Sequence, residues 1–426
     1  MGRSSKTRDF ITIGFALFAM FFGAGNLIFP PFLGWQSGSN WLIGILFYMA
    51  IDIGMSLMAI IASARIGHGA SGITEKLGRI PSFIIISITC LCIGPMIAIP
   101  RTASITYEVG FIPNFGGLNS WIVTGIFFLI SWALSIRESK VVDIVGKVLS
   151  PVMFIIILIM IIKGFISPIG EIAPNNDVYT AVKEGSLAGY QTMDMLAACL
   201  FSITVTSTII QRGYTDQKTQ FSLIRGCGLI AALLLFIVYG GLAYIGATAS
   251  VRVDAILTQS ELLVYLSGLL MGNAGRVILG LIVSFACLTT AIGLLTSIAS
   301  YFEENLHLNY KMLVTVFAVI SWIISNFGTS VIIAKAAPVL DLVYPVMIML
   351  IILSLFGRFF TGCHVYRFSA YGALAAGIIT MIDKSFLSGT AAAFLPLSGA
   401  GFGWVIPAVV CGMIGYAIDR SQAAKQ

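Results

Sequence analysis

The residues best suited to binding chemistry lie in three uncharged segments of the chain. They are FFGAGNLIFPP at 21–31, LFSITVTST at 200–208 and SFACLTTAIGL at 284–294. In the first, two glycines, an asparagine and two prolines interrupt an apolar run, which predicts a broken helix. The two ends of a break expose backbone groups of opposite partial charge, so one end suits an anion and the other a cation. An amino acid zwitterion has both charges and needs no charged side chain there.

The first segment supplies the predicted carboxylate contacts. We expect the backbone N–H groups of Ala24 and Gly25 to hold a carboxylate and the carbonyl of Phe21 to face an ammonium. Glycine lacks a Cβ and therefore permits the close backbone approach that this contact requires. A simple proline kink would explain the two prolines but not the sequence GAGN at 23–26, so the pattern favours a break.

The second segment has five serines and threonines within nine residues. Helix propensity is poor in such a run, which predicts a second break. The carbonyls of Phe201 and Ser202 and the hydroxyl of Thr204 would then complete the ammonium site. The alternative is an intact helix, in which the hydroxyls bond back to their own carbonyls and hold neighbouring helices together.

The third segment places neutral oxygen ligands on one helix face. Ala286, Thr289 and Thr290 have the spacing i, i+3, i+4, so one carbonyl and two hydroxyls converge. Such ligands fit a hard monovalent cation, whereas a divalent ion would be expected to demand carboxylates. The alternative is that the two threonines serve only in packing and hydrogen bonding between helices.

Charged residues at membrane depth are further candidates for a gate or for ion coupling. Asp52 lies midway along a predicted helix and should face the interior, where it either bonds to a neighbouring break or takes part in cation or proton coupling. Arg101 follows a proline in the third helix and forms either a gate or a static ion pair. Its candidate partners are Asp194, Asp341 and Glu108.

The amino-acid composition of the chain predicts the kind of secondary structure that positions these residues. Of 426 residues, 58% are hydrophobic and only 10% are charged, compared with about 25% charged in soluble proteins. The chain is therefore an all-α membrane protein with almost no room for a soluble domain, and it contains no phosphate-binding GxxxxGK[ST] segment. Scattered cysteines and peripheral histidines predict no metal centre or other cofactor, and the net charge of +6 fits contact with the lipid bilayer rather than nucleic acid.

Apolar runs predict twelve transmembrane helices in a single domain, 1–426. They are 10–32, 40–64, 80–107, 118–136, 143–166, 190–211, 221–247, 275–302, 311–327, 334–356, 366–382 and 402–418. The excess of lysine and arginine in alternate connections predicts that both termini are cytoplasmic. Five spans separate the two predicted breaks, and this odd number inverts the second half relative to the first. Paired interruptions in inverted halves, about 10–166 and 190–356, are typical of secondary transporters.

The chain resembles the branched-chain amino acid:cation symporter family, the system II carriers of the amino acid–polyamine–organocation superfamily. FFGAGNLIFPP and GPMIAIPRTA at 94–103 are similar to that family's motifs, and the resemblance covers nearly all 426 residues. It implies a LeuT-type five-plus-five inverted repeat with broken helices 1 and 6, plus two extra C-terminal helices at about 366–418. It also implies import of leucine, isoleucine and valine with Na⁺ across the bacterial inner membrane.

The resemblance also implies site residues. The superfamily's GxGN turn matches Gly23, Gly25 and Asn26, and its sixth-helix break matches residues 201–204. Its sodium pattern matches Ala286, Thr289 and Thr290, with the carbonyls of Ala19 and Phe22 completing the ligand set. One departure concerns the outer gate: Ile28 stands where related carriers have an arginine, so Arg101 is only a substitute candidate.

Three classes of function remain for comparison with the structure. The favoured one is a sodium-coupled symporter without enzymatic activity. A proton-coupled carrier of the same fold is the nearest alternative, because Asp52 is a titratable group at membrane depth. A channel or an intramembrane hydrolase is less favoured, since no polar dyad suited to hydrolysis has a convincing helical placement. The sequence leaves the oligomeric state open.

Overall fold

A computed structural model describes residues 3–66, 69–136, 150–175, 177–253, 257–360, 362–383 and 394–423. Within these ranges the chain is helical and has no β-strand. The helices of the first half are α1 Arg3–Phe21, α2 Ala24–Ser37, α3 Trp41–Met49, α4 Met55–Ile66, α5 Gly69–Thr74, α6 Arg79–Leu91, α7 Ala98–Ile105, α8 Ile112–Phe115, α9 Ser120–Ser135 and α10 Ser150–Ile166.

The remaining helices are α11 Val178–Thr192, α12 Asp194–Gln211, α13 Gln217–Ala247, α14 Gln259–Leu306, α15 Tyr310–Ser325, α16 Thr329–Leu355, α17 His364–Ile382 and α18 Val405–Ala423. Several are joined through irregular turns rather than loops. The π-helical turn Ala50–Gly54 connects α3 to α4, and Cys92–Met96 connects α6 to α7. The long helix α14 bends at Gly272, whose φ is +61°.

The helices include many that are long and apolar enough to cross a membrane. Among the described residues, six stretches meet this criterion: Gly25–Ile66, Arg79–Phe115, Val178–Gln211, Gln217–Ala247, Gln259–Leu306 and His364–Ile382. The bent pair Tyr310–Ser325 and Thr329–Leu340 forms a seventh candidate. Large apolar side chains such as Leu129, Ile159 and Leu233 are exposed on the outer surface, as expected for a surface that faces lipid. The chain is a multi-pass membrane protein, and the twelve-span arrangement stays a prediction.

The first predicted break is confirmed. α1 ends at Phe21 and α2 begins at Ala24, with Gly23 in an extended conformation between them. The two prolines of the segment lie inside α2, so the glycine and not the prolines interrupts the helix.

The second break exists, but its predicted position was wrong. α12 runs without interruption through 201–204, and its hydroxyls bond back to the helix: Ser202 Oγ donates to the Cys199 carbonyl at 2.7 Å, and Thr208 Oγ1 to the Thr204 carbonyl at 2.8 Å. The interruption lies eight residues before Phe201, at Met193, which has the left-handed values φ 69° and ψ 10°. The helical stretch also begins at Val178, upstream of the predicted start at 190.

Small residues bring α2 and α13 into close contact. Gly34 lies against the Ala243 carbonyl, and Gly246 lies against the Pro31 carbonyl. A Cβ at either glycine would overlap the facing carbonyl, so only glycine fits both positions. α2 is therefore tightly packed against α13.

Candidate substrate and ion site

The two helix breaks meet in the protein interior. Asn26, at the start of α2, donates from Nδ2 to the Phe21 carbonyl at 2.7 Å and to Asp194 Oδ2 at 2.5 Å. Phe21 is the last residue of α1 and Asp194 the first of α12. The predicted site residue Asn26 thus links both ends of the first break to the second break.

Arg101 closes the other side of the second break. It is buried, with 4% of its surface exposed, and donates from Nη1 to the Gln191 carbonyl at 2.9 Å and from Nη2 to the Thr192 carbonyl at 3.2 Å. These carbonyls end α11, and a cation at a helix C-terminus is electrostatically favourable. The guanidinium also reaches α2, since a Cβ on Gly25 would lie 3.0 Å from Nη2.

The predicted ion pairs of Arg101 are absent among the described residues. Asp194 lines the same cavity as Arg101, but no ion pair joins the two side chains there. Glu108 instead accepts a hydrogen bond from the Thr329 backbone N–H at 2.9 Å. The side chain of Asp341 lies outside the described residues.

Asp52 faces the interior, as predicted. It lies in the π-helical turn between α3 and α4 with 1% of its surface exposed. Thr192 Oγ1 donates to Asp52 Oδ1 at 2.6 Å and also lies 2.8 Å from the Gly189 carbonyl. The predicted hydrogen bond to a neighbouring break is therefore present, and it is made with the end of α11.

A small cavity lies where these groups meet. Its polar wall consists of Gly23, Gly25, Asn26, Arg101, Thr102, Thr192 and Asp194, with Met193 and Thr290 beside them. Its apolar wall consists of Met20, Ile93, Ala98, Ala197 and Leu294. The cavity volume is about 20 Å³, enough for one or two water molecules. An amino acid can enter only if the surrounding helices move apart.

Three predicted substrate residues lie away from the second break. Phe201, Ser202 and Thr204 are buried within the continuous helix α12, so the expected free carbonyls of Phe201 and Ser202 are absent. The Phe201 ring packs edge-on against the Phe21 ring at 5.4 Å between centroids. The Thr204 hydroxyl lies 2.7 Å from that of Ser297 on α14. These residues hold α1, α12 and α14 together.

The predicted ion ligands are brought together, with one difference. Thr289 Oγ1 lies 2.8 Å from the Ala19 carbonyl and 2.9 Å from that of Ala286. Thr290 Oγ1 lies 2.9 Å from the Met20 carbonyl and 3.4 Å from that of Ala19. The described hydrogen bonds join these hydroxyls to Met20 rather than to the expected Phe22. This group of neutral oxygens suits a monovalent cation.

Sequence reasoning missed Met193 and Thr192. No glycine or proline marks the interruption at Met193, and a left-handed conformation is rare for such a residue. The only local signal is an acidic residue, Asp194, which is favourable in the first turn of the helix that follows.

Two solved structures with a similar architecture are transporters. The chain is similar to MHP1, a nucleobase-cation-symport-1 family transporter in a closed conformation with bromovinylhydantoin bound (TM-score 0.63, 15% identity, 98% of this chain and 93% of that chain covered). It is also similar to a Na⁺-coupled sialic acid symporter in a substrate-bound outward-open state (TM-score 0.64, 16% identity, 96% and 89% covered). At these identities the likeness establishes a transporter fold and nothing finer.

The sequence comparisons identify the family. Residues 6–422 match the branched-chain amino acid transport protein family. The chain is 38% identical to the branched-chain amino acid permease BraB of Bacillus subtilis (strain 168), covering 98% of this chain and 97% of that protein. It is 33% identical to the branched-chain amino acid transport system 2 carrier protein of Pseudomonas aeruginosa, covering 97% of each. The chain belongs to this family and is a transporter, not an enzyme.

Proposed function

We propose that the protein is a sodium-coupled symporter that imports leucine, isoleucine and valine across the bacterial inner membrane, with both termini cytoplasmic. One observation carries the proposal: the hydroxyls of Thr289 and Thr290 converge with the carbonyls of Ala19 and Ala286 next to the cavity where both helix breaks meet. The family supports the substrate class, since its named members are branched-chain amino acid permeases and carriers. We further propose the LeuT-type twelve-helix arrangement with inverted halves.

The substrate carboxylate binds at the start of α2. Gly23 provides no side-chain cap there, so the N–H groups of Ala24 and Gly25 are available to an anion. The Arg101 guanidinium adds a positive charge on the same side of the cavity. A carboxylate thus receives both backbone donors and a full charge.

The substrate ammonium binds at a second point of the polar wall. Asp194 supplies a carboxylate there, and the Phe21 carbonyl ends α1 nearby, bridged to it through Asn26. Asp194 takes the role that the sequence had assigned to the carbonyls of Phe201 and Ser202. The two charges of a zwitterion therefore meet groups of opposite sign within one cavity.

The branched side chain extends toward the apolar wall. That wall has no charged group, so it disfavours polar amino acids. One methylene group changes the free energy of binding by only about 1–3 kcal/mol in such a pocket. Leucine, isoleucine and valine should therefore compete for the same site.

Sodium and substrate are coupled through the end of α1. The hydroxyls of Thr289 and Thr290 contact the carbonyls of Ala19 and Met20, and Thr290 also lies against Gly23 at the break. An ion held between α1 and α14 fixes the break that binds the substrate. One sodium ion moving through 100 mV releases about 2.3 kcal/mol, which drives accumulation.

Radiolabelled leucine uptake into proteoliposomes tests the proposal. A sodium gradient should drive accumulation, and potassium or proton gradients should not. Replacing both hydroxyls, Thr289→Ala with Thr290→Ala, removes two of the ligands and should abolish sodium stimulation. Thr296→Ala is the matched control, because its hydroxyl bonds only within α14, to the carbonyls of Ile292 and Gly293.

Three outcomes would contradict the proposal. Undiminished sodium stimulation in the double variant would remove the ion site. Uptake that follows pH and ignores sodium replacement would favour the proton-coupled carrier. Flux that does not saturate with leucine concentration would indicate a channel.

A further inference from the structure

Two buried carboxylates face one another beside the substrate cavity. Asp52 has 1% and Asp194 8% of its surface exposed, and both line one cavity of about 10 Å³. Thr192 donates to Asp52, and Asn26 donates to Asp194. Two carboxylates that share so small a buried cavity cannot both be ionised, because like charges repel strongly in a medium of low dielectric constant. A proton shared between them removes the repulsion.

The charge balance of the cluster also requires one more positive charge. Arg101 on α7 is the only cation that acts on the pair among the described residues. The other titratable groups facing the carboxylates are neutral phenols: Tyr48 on α3, Tyr239 on α13 and Tyr344 on α16. Two carboxylates and one guanidinium leave a net charge of −1, and a zwitterionic substrate adds none. One proton makes the buried cluster neutral.

Unsatisfied polar atoms point independently to a missing proton or ligand. Asp52 Oδ2 and the Tyr48 hydroxyl have no hydrogen-bond partner among the described residues, although both side chains are fully buried. Leaving such atoms unpaired costs free energy comparable to a lost hydrogen bond. A separate cavity of about 10 Å³ lies beside Asp52, lined by Phe21, Ser56, Gly228 and both carboxylates. It is no larger than one water molecule requires.

We propose that Asp52 and Asp194 hold one exchangeable proton and form a second cation site, apart from the sodium site at Thr289 and Thr290. Asp194 lines both cavities, whereas Asp52 lines only the smaller one. When the substrate ammonium reaches Asp194, the O–H bond of the Asp194 carboxyl breaks and an O–H bond forms on Asp52. Asp194 is then ionised for the ammonium, and the total charge of the cluster is unchanged. This proton transfer rests on the proposed position of the substrate.

The pH profile of sodium-driven leucine uptake tests the shared proton. In the wild type, uptake should fall about tenfold per pH unit above the point where the pair loses its proton. Asp52→Asn replaces the protonated acid with a neutral amide of the same shape and leaves Asp194 ionised. We expect this variant to retain uptake and to lose the alkaline decline. Asp216→Asn, at the exposed start of α13, is the matched control and should keep the wild-type profile.

An infrared measurement covers the case in which Asp52→Asn folds but does not transport. The wild type should have a carboxylic acid carbonyl band that shifts on leucine binding, and the band should be absent from Asp52→Asn. A wild-type protein without this band, or a variant that keeps the wild-type pH profile, would overturn the proposal.

A different assay distinguishes a failure of the proposed sodium coupling from a failure of the proposed shared proton. Leucine exchange between equal concentrations needs no ion gradient, so its pH profile reports the carboxylate pair even if sodium does not drive uptake. Loss of sodium stimulation in the Thr289 and Thr290 double variant, with an unchanged pH profile for exchange, would separate the two sites.

Discussion

The two helix breaks differ in how they are made. The first depends on Gly23 and exposes uncapped N–H groups at the start of α2, without a charged residue. The second break lies at Met193, which has a left-handed conformation, and the carboxylate of Asp194 follows it at the start of α12. Arg101 donates to the backbone carbonyls at the end of α11 that precede this break. The first break therefore has no charged residue of its own and depends on backbone dipoles, with Arg101 reaching it from α7, whereas side-chain charges dominate the second. Leucine uptake should therefore be far more sensitive to loss of a single side chain at the second break than at the first.

Arg101→Ala should have the largest effect. It leaves the Gln191 and Thr192 carbonyls without their donor and leaves the buried acidic pair without its cation, and removing one partner of a buried charge set costs about 3–5 kcal/mol. We expect leucine uptake to fall by more than about a hundredfold. Arg65→Ala is the matched control, because Arg65 also donates to a helix-end carbonyl, that of Leu355, but at an exposed position.

A charge-conserving variant sharpens this test. Arg101→Lys keeps the charge without the two-pronged geometry and should recover part of the uptake. Wild-type uptake in Arg101→Ala would show that the second break does not depend on its side-chain charge.

Gly23→Ala should have an intermediate effect, which appears in sodium dependence. The added Cβ would lie 2.8 Å from Thr290 Oγ1, so the break and the ion site must move apart. Overpacking of this kind costs about 1–3 kcal/mol, which corresponds to about a 5- to 150-fold higher sodium concentration for half-maximal uptake. Gly240→Ala is the control, since its Cβ would meet only the flexible end of Met49 at 3.9 Å. An unchanged sodium dependence in Gly23→Ala would separate the first break from ion binding.

Ser202→Ala should have the smallest effect. Its hydroxyl bonds to the Cys199 carbonyl within the continuous helix α12, and a net hydrogen bond contributes only about 0.5–1.5 kcal/mol. We expect the KM for leucine to change by less than about threefold. A large rise in KM, with normal protein abundance, would return the ammonium site to the position that the sequence had predicted.

The sequence predicted features that depend on local residues. Hydropathy located the helices, since about 20 apolar residues are needed to cross the membrane. Glycine and asparagine revealed the first break, and the i, i+3, i+4 spacing of Ala286, Thr289 and Thr290 placed their oxygens on one face. The approach of these hydroxyls to the Ala19 carbonyl came from family resemblance rather than from spacing.

The second break could not be predicted in the same way. The hydroxyl-rich run around Ser202 forms a regular helix because each hydroxyl can bond to its own helix. Met193 takes its left-handed conformation in a setting that only the tertiary structure supplies, between the Arg101-bonded end of α11 and the Asp194 contact with Asn26. The local sequence does not indicate contacts between residues 168 positions apart, such as that of Asn26 with Asp194.

The glycine contacts at Gly34 and Gly246 limit how the transporter can open. Because no side chain separates the two helices at these contacts, α2 has little room to slide or tilt against α13, and we expect the two to move together. Opening a route to the cavity beside α2 therefore requires either displacement of this pair together or withdrawal of α7, α12 and α14, which form other walls of the cavity. We therefore expect no movement of α2 that is independent of α13.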